Sequence, residues 1–301
     1  MPWLANDPHL AMQMPSIWYE ISLHVEGPGA WNCHGYSFAG MPGIVIGHND
    51  HVVWGMSTAN PDVQDLYVEQ INPENPNQYR VEDEWVEMET RQEVIRIHGA
   101  DPFFLTVRST RNGPIVTDSG GAVPYSSYDV SPVELFPTDL RLSELSLKWT
   151  ALDAVFPMYA VLLYDRATDV YSFRDALSHF HTPSHNYLVA DTSGNIAYCH
   201  PGHLPIRGTG SGSLPNPGWD NDYQWRGFVP HDELPYIVNP PRGYVTNENQ
   251  AVMPEGMGLF GEHLYSPGFR AFRAETLLQD ALADGVVTAD EHRAIQTDIR
   301  S

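Results

Sequence analysis

The chain is short of positive charge: 16 lysines and arginines stand against 38 aspartates and glutamates, for a formal net charge of -22. So negative a surface repels phosphate backbones, which argues against a nucleic-acid partner. It names no substrate, because acidic surfaces serve solubility first. Cysteine is nearly missing too. Cys33 and Cys199 are the two present, neither in a C-x-x-C pair, and they leave the redox compartment open. No apolar run is long enough to span a bilayer. The familiar catalytic signatures are absent as well: there is no G-x-S-x-G elbow, Rossmann glycine pattern, P-loop or H-E-x-x-H.

What is present suits a folded body. The 301 residues are 42% apolar, with 8 Trp, 15 Tyr and 11 Phe, enough for a full core. The 25 prolines and 24 glycines predict many turns between short elements. Alternation predicts strands over 18–25, 43–46, 51–54, 67–71, 85–97, 103–109 and 113–116, with a polar turn at 47–50 and one wet sheet face. Beyond Pro132 the pattern changes. Leu147, Ala151 and Val155 fall at helical spacing, and Phe173, Ala176 and Leu177 form one stripe of a second helix over 170–180. Strands return at 186–190 and 196–199, around the turn at Thr192-Ser193-Gly194-Asn195, before a proline-rich stretch to about 250. A helix follows over 270–283, and Glu291 opens another helical run. No repeat or low-complexity linker appears, so the reading is one α+β unit over 1–301, without internal boundary.

Local chemistry is ambiguous. His179, His181 and His185 cluster around a helix end and Pro183 without a carboxylate or thiolate at ligand spacing, which favours ordinary surface histidines over a metal site. His200 and His203 flank a Pro-Gly turn and read the same way. Cys33 and Cys199 lack basic sequence neighbours and read as packed thiols. In "NPDVQDLY", Asp62 and Asp65 flank Gln64 in a proline-punctuated loop: they are solvent-facing acids or hard-oxygen ligands for calcium. In "NPPRGYVTNENQ", the strand-like Tyr244-Val245-Thr246 would put Asn247 and Asn249 on one side. An Asn amide can donate to an oxyanion without ionising, or it can simply stabilise a turn.

Taken together, several blocks resemble the penicillin acylase family of N-terminal-nucleophile amidohydrolases, which includes penicillin, cephalosporin and acyl-homoserine-lactone acylases. The matching stretches include "LANDPHL" (4–10), "PSIWYEISLH" (15–24), "GMPGIVIGHNDHVVWGMSTANPDVQDLY" (40–67), "RNGPI" (111–115) and "LKWTALD" (147–153). They continue with "NYLVADTSGNIAYCHPGHLPIR" (186–207), the long block over 213–250 and "FRAFRAETLL" (269–278). They keep family order and cover nearly the whole chain.

The resemblance implies a four-layered αββα sandwich, incomplete at both ends, and hydrolysis of a carboxamide to an acid and an amine. The family's nucleophile is an N-terminal serine whose own α-amine, with a pKa of about 8, serves as base. That serine lies upstream of the "LANDPHL" block, so its expected position precedes Met1. Without it, the alternative is an inactive fragment or a binding scaffold. His9 matches the residue that orients the nucleophile's amine, and Thr58 the one whose backbone N–H lines the oxyanion hole. Asn249 matches the side-chain oxyanion donor, and Arg270 the arginine beside the nucleophile and substrate. Leu10 and Ile46 stand where phenylacetyl-selective members carry phenylalanines, which implies an aliphatic or broad acyl pocket. Asp62, Asp65 and the backbone carbonyl of Gln64 match ligands of a structural Ca2+, with a further ligand from a separate α chain. The resemblance further implies that α chain as a partner, no organic cofactor, and a periplasmic or extracellular location.

Overall fold

The computed structural model describes residues 1–8, 10–117, 144–153, 156–252 and 265–300. The sequence suggests no internal boundary, but backbone contacts divide the chain into two compact units. The first takes Met1–Pro61, Ala154–Leu204 and Val229–Ser301; the second takes Asp62–Asp153 and Pro205–Phe228.

The first unit is built on a seven-stranded antiparallel sheet. Its order is Trp18–Val25, Trp31–Phe38, Ile46–Asn49, Val52–Thr58, His185–Asp191, Ile196–Cys199 and Tyr236–Val238. Two helices, α1 (Pro157–Tyr164) and α2 (Val170–Leu177), pack on it. Pro157 suits the first turn of α1, where its missing N–H is no loss. Asp169 and Ser172 close a capping box at the start of α2. The core between helices and sheet is aromatic. Trp54, Tyr164, Phe173 and Tyr187 are essentially inaccessible, with Tyr164 and Phe173 stacked at 4.9 Å. Fully burying each such ring is worth about 1.5–3 kcal/mol. Two more helices, α3 (Phe269–Ala281) and α4 (Ala289–Gln296), lie near the expected positions.

The hairpin turn sits later than the expected 47–50. Asn49 is the reason: its Oδ1 accepts from the backbone N–H groups of His51 (2.8 Å) and Val52 (2.7 Å), which tightens the connection. Its Nδ2 donates to the carbonyls of Asp165 and Ala167. Gly47 and His48 therefore join the strand. Gly47 must stay bare there, because a Cβ would lie 2.2 Å from the His34 carbonyl oxygen.

The second unit is a set of small sheets. One runs Gly113–Pro114, Phe103–Thr110, Glu89–Ile95; another Glu144–Trp149, Gln64–Glu69, Asn216–Pro217; a third Ile71–Asn72, Asn75–Val81, Glu84–Glu87; Pro205–Arg207 pairs with Trp225–Phe228. Two expectations fail here. The run 85–97 breaks at Met88, whose N–H donates to the Asn77 carbonyl while its side chain is buried with Tyr79 and Ile115. The spacing of Leu147 and Ala151 yields a strand and a short 3-10 turn rather than a helix; Val155 lies outside the described residues. Pairing overrides spacing: 144–149 lies antiparallel on 64–69, and the buried Ser146 hydroxyl donates to the Glu69 carboxylate at 2.6 Å.

The mixed α/β class is as expected, with a helical layer against the seven-stranded sheet. Among the described residues, no helix is long and apolar enough to cross a membrane.

Candidate active site

Thr58 ends the strand Val52–Thr58 in the middle of the large sheet. Its neighbour Ser57 lies opposite Asn186 in the register, and Thr58 itself lies opposite His185. The loop carrying Asn247 and Asn249 meets this strand end. It is not the strand the sequence suggests at 244–246, so period-two alternation cannot bring the two asparagines together. An Asx turn does that instead: the Asn249 N–H donates to Asn247 Oδ1 at 3.1 Å. Asn249 adopts φ +67°, a left-handed conformation that Asn tolerates better than most residues.

Three residues singled out from the sequence come together here. Asn249 Nδ2 donates to the Thr58 carbonyl at 2.9 Å. Arg270, on the first turn of α3, donates from Nη2 to Asn249 Oδ1 at 2.7 Å and to Ser266 Oγ at 3.2 Å. The loop is tied a second time, by the Ser266 N–H to the Asn249 carbonyl at 2.9 Å. A cation on the amide oxygen draws electron density from the amide nitrogen and makes its N–H groups better donors. One of those two N–H groups goes to Thr58; among the described residues the other has no acceptor.

His9 lies outside the described residues, but Asn6 in the same block is placed. It clamps Met56 with two bonds: Nδ2 to the Met56 carbonyl at 3.0 Å, and the Met56 N–H to Oδ1 at 3.2 Å. The N-terminal segment is thus fastened two residues from Thr58. The expected pocket residues separate in environment: Ile46 is buried in the sheet, whereas Leu10 is 47% exposed.

Two histidines beside Thr58 and Asn186 are uncharged at neutral pH. Burial pushes His185 and His200 down to about 4, so both rings are neutral there. The His181 and His203 rings stack at 4.2 Å. Among the described residues, no three His, Cys, Asp or Glu side chains are arranged to hold a metal ion. Both cysteines are buried, and burial raises their thiols, Cys199 to about 12.

In the second unit, Asp62, Gln64 and Asp65 were matched to calcium ligands. Asp65 has both oxygens filled. Arg207 Nε lies 3.0 Å from each, Nη2 lies 2.8 Å from Oδ1, and Trp225 Nε1 donates to Oδ2 at 2.6 Å. The same guanidinium reaches the Asp62 carbonyl at 3.2 Å and its carboxylate at 3.3 Å. The Gln64 N–H points back to Asp62 Oδ1 at 3.4 Å. Calcium requires six to eight oxygens at about 2.3–2.6 Å. These carboxylates face a buried cation of the chain itself, the Arg207 guanidinium.

Sequence reasoning missed Asn6, Ser57, Asn186 and Arg207. Nothing in the local pattern marks a polar residue whose partner is far away in the chain. The 142-residue separation of Arg207 from Asp65 is an example.

A family model described as penicillin amidase matches residues 1–301. The chain is 26% identical over 301 residues to the penicillin acylase 2 proenzyme of a Pseudomonas species, covering 100% of this chain and 36% of that protein. It is 32% identical over 257 residues to the acyl-homoserine lactone acylase QuiP of Pseudomonas fluorescens, covering 85% of this chain and 29% of that protein. Among solved structures, a thermostable penicillin G acylase from Alcaligenes faecalis matches with a TM-score of 0.78 and 26% identity, over 96% of this chain and 48% of that one. The chain thus spans about a third of the length of these curated relatives.

Proposed function

The chain belongs to the penicillin amidase family and has a mixed α/β fold of the N-terminal-nucleophile hydrolase type, and from that premise we propose that it carries the oxyanion-binding part of an amide-hydrolysing acylase. The substrate class is a carboxamide of the penicillin, cephalosporin or N-acyl-homoserine-lactone kind. The attacking group is the hydroxyl of an N-terminal serine. Its oxygen adds to the amide carbon while its α-amine takes the hydroxyl proton. The carbonyl oxygen becomes an oxyanion, received by the Thr58 N–H and the second N–H of Asn249. The C–N bond breaks, the proton passes to the leaving amine, and water then hydrolyses the ester to release the acid. His9 and Arg270 hold the amine and the donor amide in place, and Leu10 and Ile46 favour aliphatic acyl groups. The working protein pairs this chain with a complementary α chain and acts outside the cytoplasm.

The observation that carries this reading is the contact of Asn249 with Thr58, braced by Arg270. An amide fixed beside a strand end, uncharged and polarised by a cation, is suited to a charge that appears only in the transition state. In the complete gene product, Asn249→Ala should lower kcat by about 10²–10³ while KM changes little. Turnover of penicillin, cephalosporin and acyl-homoserine-lactone amides at an unchanged kcat would overturn the assignment. No turnover by the unaltered product would leave a binding scaffold.

A further inference from the structure

Behind the Thr58–Asn249 contact sits a buried amide that does not itself reach the exposed face. Asn186 is 1% exposed and is the second residue of the strand His185–Asp191, opposite Ser57. Its Nδ2 has three acceptors in reach: Asn247 Oδ1 at 2.8 Å, the Thr58 carbonyl at 3.1 Å and Ser57 Oγ at 3.2 Å. A carbonyl oxygen can only accept, so the amide nitrogen must face Thr58, and the orientation of Asn186 is fixed by chemistry. On the other side, Oδ1 accepts from the Tyr198 hydroxyl at 2.6 Å and lies 3.3 Å from His200 Nδ1. The neutral His200 ring brings no net charge to this contact.

Asn247 is fixed by the same logic. Its Oδ1 faces the Asn249 backbone N–H, which can only donate, and it also receives Ser57 Oγ at 2.8 Å. Asn186 therefore links both halves of the candidate oxyanion pair. It holds the Thr58 carbonyl directly and holds Asn249 through Asn247. The strand end and the loop, 191 residues apart in sequence, are drawn together by one buried side chain.

We propose that Asn186 is a positioning residue for acyl transfer, setting the separation between the Thr58 backbone and the Asn249 amide. The proposal rests on the oxyanion reading above. Oxyanion donors act in the transition state, so a loosened pair lowers kcat more than it raises KM. Asn186→Asp removes the donating NH2 and retains an acceptor for Tyr198.

The test is a double-mutant cycle in the complete gene product. Asn186→Asp should lower kcat by about tenfold or more with KM nearly constant, and the doubly substituted Asn186→Asp/Asn249→Ala protein should be no slower than Asn249→Ala alone. Amide hydrogen exchange at Asn249 should quicken in Asn186→Asp, a readout that catalysis does not enter. Ser57→Ala, a smaller change at the same node, covers the case in which Asn186→Asp fails to fold; it should show the same non-additivity with a loss of a few-fold. If Asn249→Ala lowers kcat but neither Asn186→Asp nor Ser57→Ala does, or if their losses multiply with that of Asn249→Ala, the positioning role is overturned while the oxyanion reading stands. If Asn249→Ala itself leaves kcat intact, the oxyanion reading falls, and the positioning role falls with it.

Discussion

The two units solve the same problem, a buried polar centre, by opposite means. In the first, Asn186, Asn247, Asn249 and Ser57 form a neutral web in which Asn247 Oδ1 accepts from Ser57 Oγ, Asn186 Nδ2 and the Asn249 N–H. In the second, the Arg207 guanidinium faces the fully buried carboxylate of Asp65, with Asp62 and Trp225 completing the shell. A neutral web can be oriented toward a transient charge because it carries none of its own. A buried ion pair cannot do this. Its charges are already matched to each other, and its role is to hold the Asp62–Asp65 turn to the strand Pro205–Arg207. On the oxyanion reading, chemistry belongs to the first centre and cohesion to the second.

The comparison breaks most visibly at Arg207. Arg207→Ala leaves Asp65 charged and buried without its cation, and should destabilise the protein by about 3–5 kcal/mol in denaturant unfolding. Arg207→Lys should recover only part, because an ammonium cannot make the forked contact. Calcium chloride or a chelator should leave the unfolding midpoint of the unaltered protein unmoved, since the carboxylates already have a cation. A loss below about 1 kcal/mol, as for an exposed pair, contradicts this account.

The next effect sharpens the first unit. His185 and His200 have ordinary values of 6.5 when unfolded and are pushed to about 4 by burial. As pH falls the unfolded chain takes up protons first, so stability should drop between pH 6.5 and about 4, by up to about 3 kcal/mol per histidine. Asp165 acts in the opposite sense. Burial pushes it from 3.8 to about 7, so its contribution is full below 3.8 and is lost as pH rises through 7. Asp165→Asn removes that counterweight while its amide oxygen can still accept from the Ile44 N–H. Its unfolding free energy should fall more steeply on acidification than that of the unaltered protein; parallel curves would show that Asp165 is not the opposing group.

Much of the scaffold was legible in the sequence because local rules applied. Alternation marks Trp18–Val25, and the apolar stripe marks α2. Local rules failed where tertiary pairing decided, as at Ser146, whose hydroxyl is held by Glu69 in a strand that reads like a helix. The candidate site was suggested only by the family likeness. Thr58, Asn249 and Arg270 share no periodicity, and their contacts exist only after the sheet and loop have closed. Asn186 was expected in a strand, but nothing marked its side chain as a link until the register placed it opposite Ser57.

The most direct measurement is a crystal structure of the complete gene product bound to a tetrahedral boronate or phosphonate analogue of the amide. The predicted result places the analogue's oxyanion oxygen within about 2.7–3.1 Å of both the Thr58 backbone nitrogen and Asn249 Nδ2. An oxygen directed elsewhere, with Asn249 still turned only toward the Thr58 carbonyl, would contradict the account.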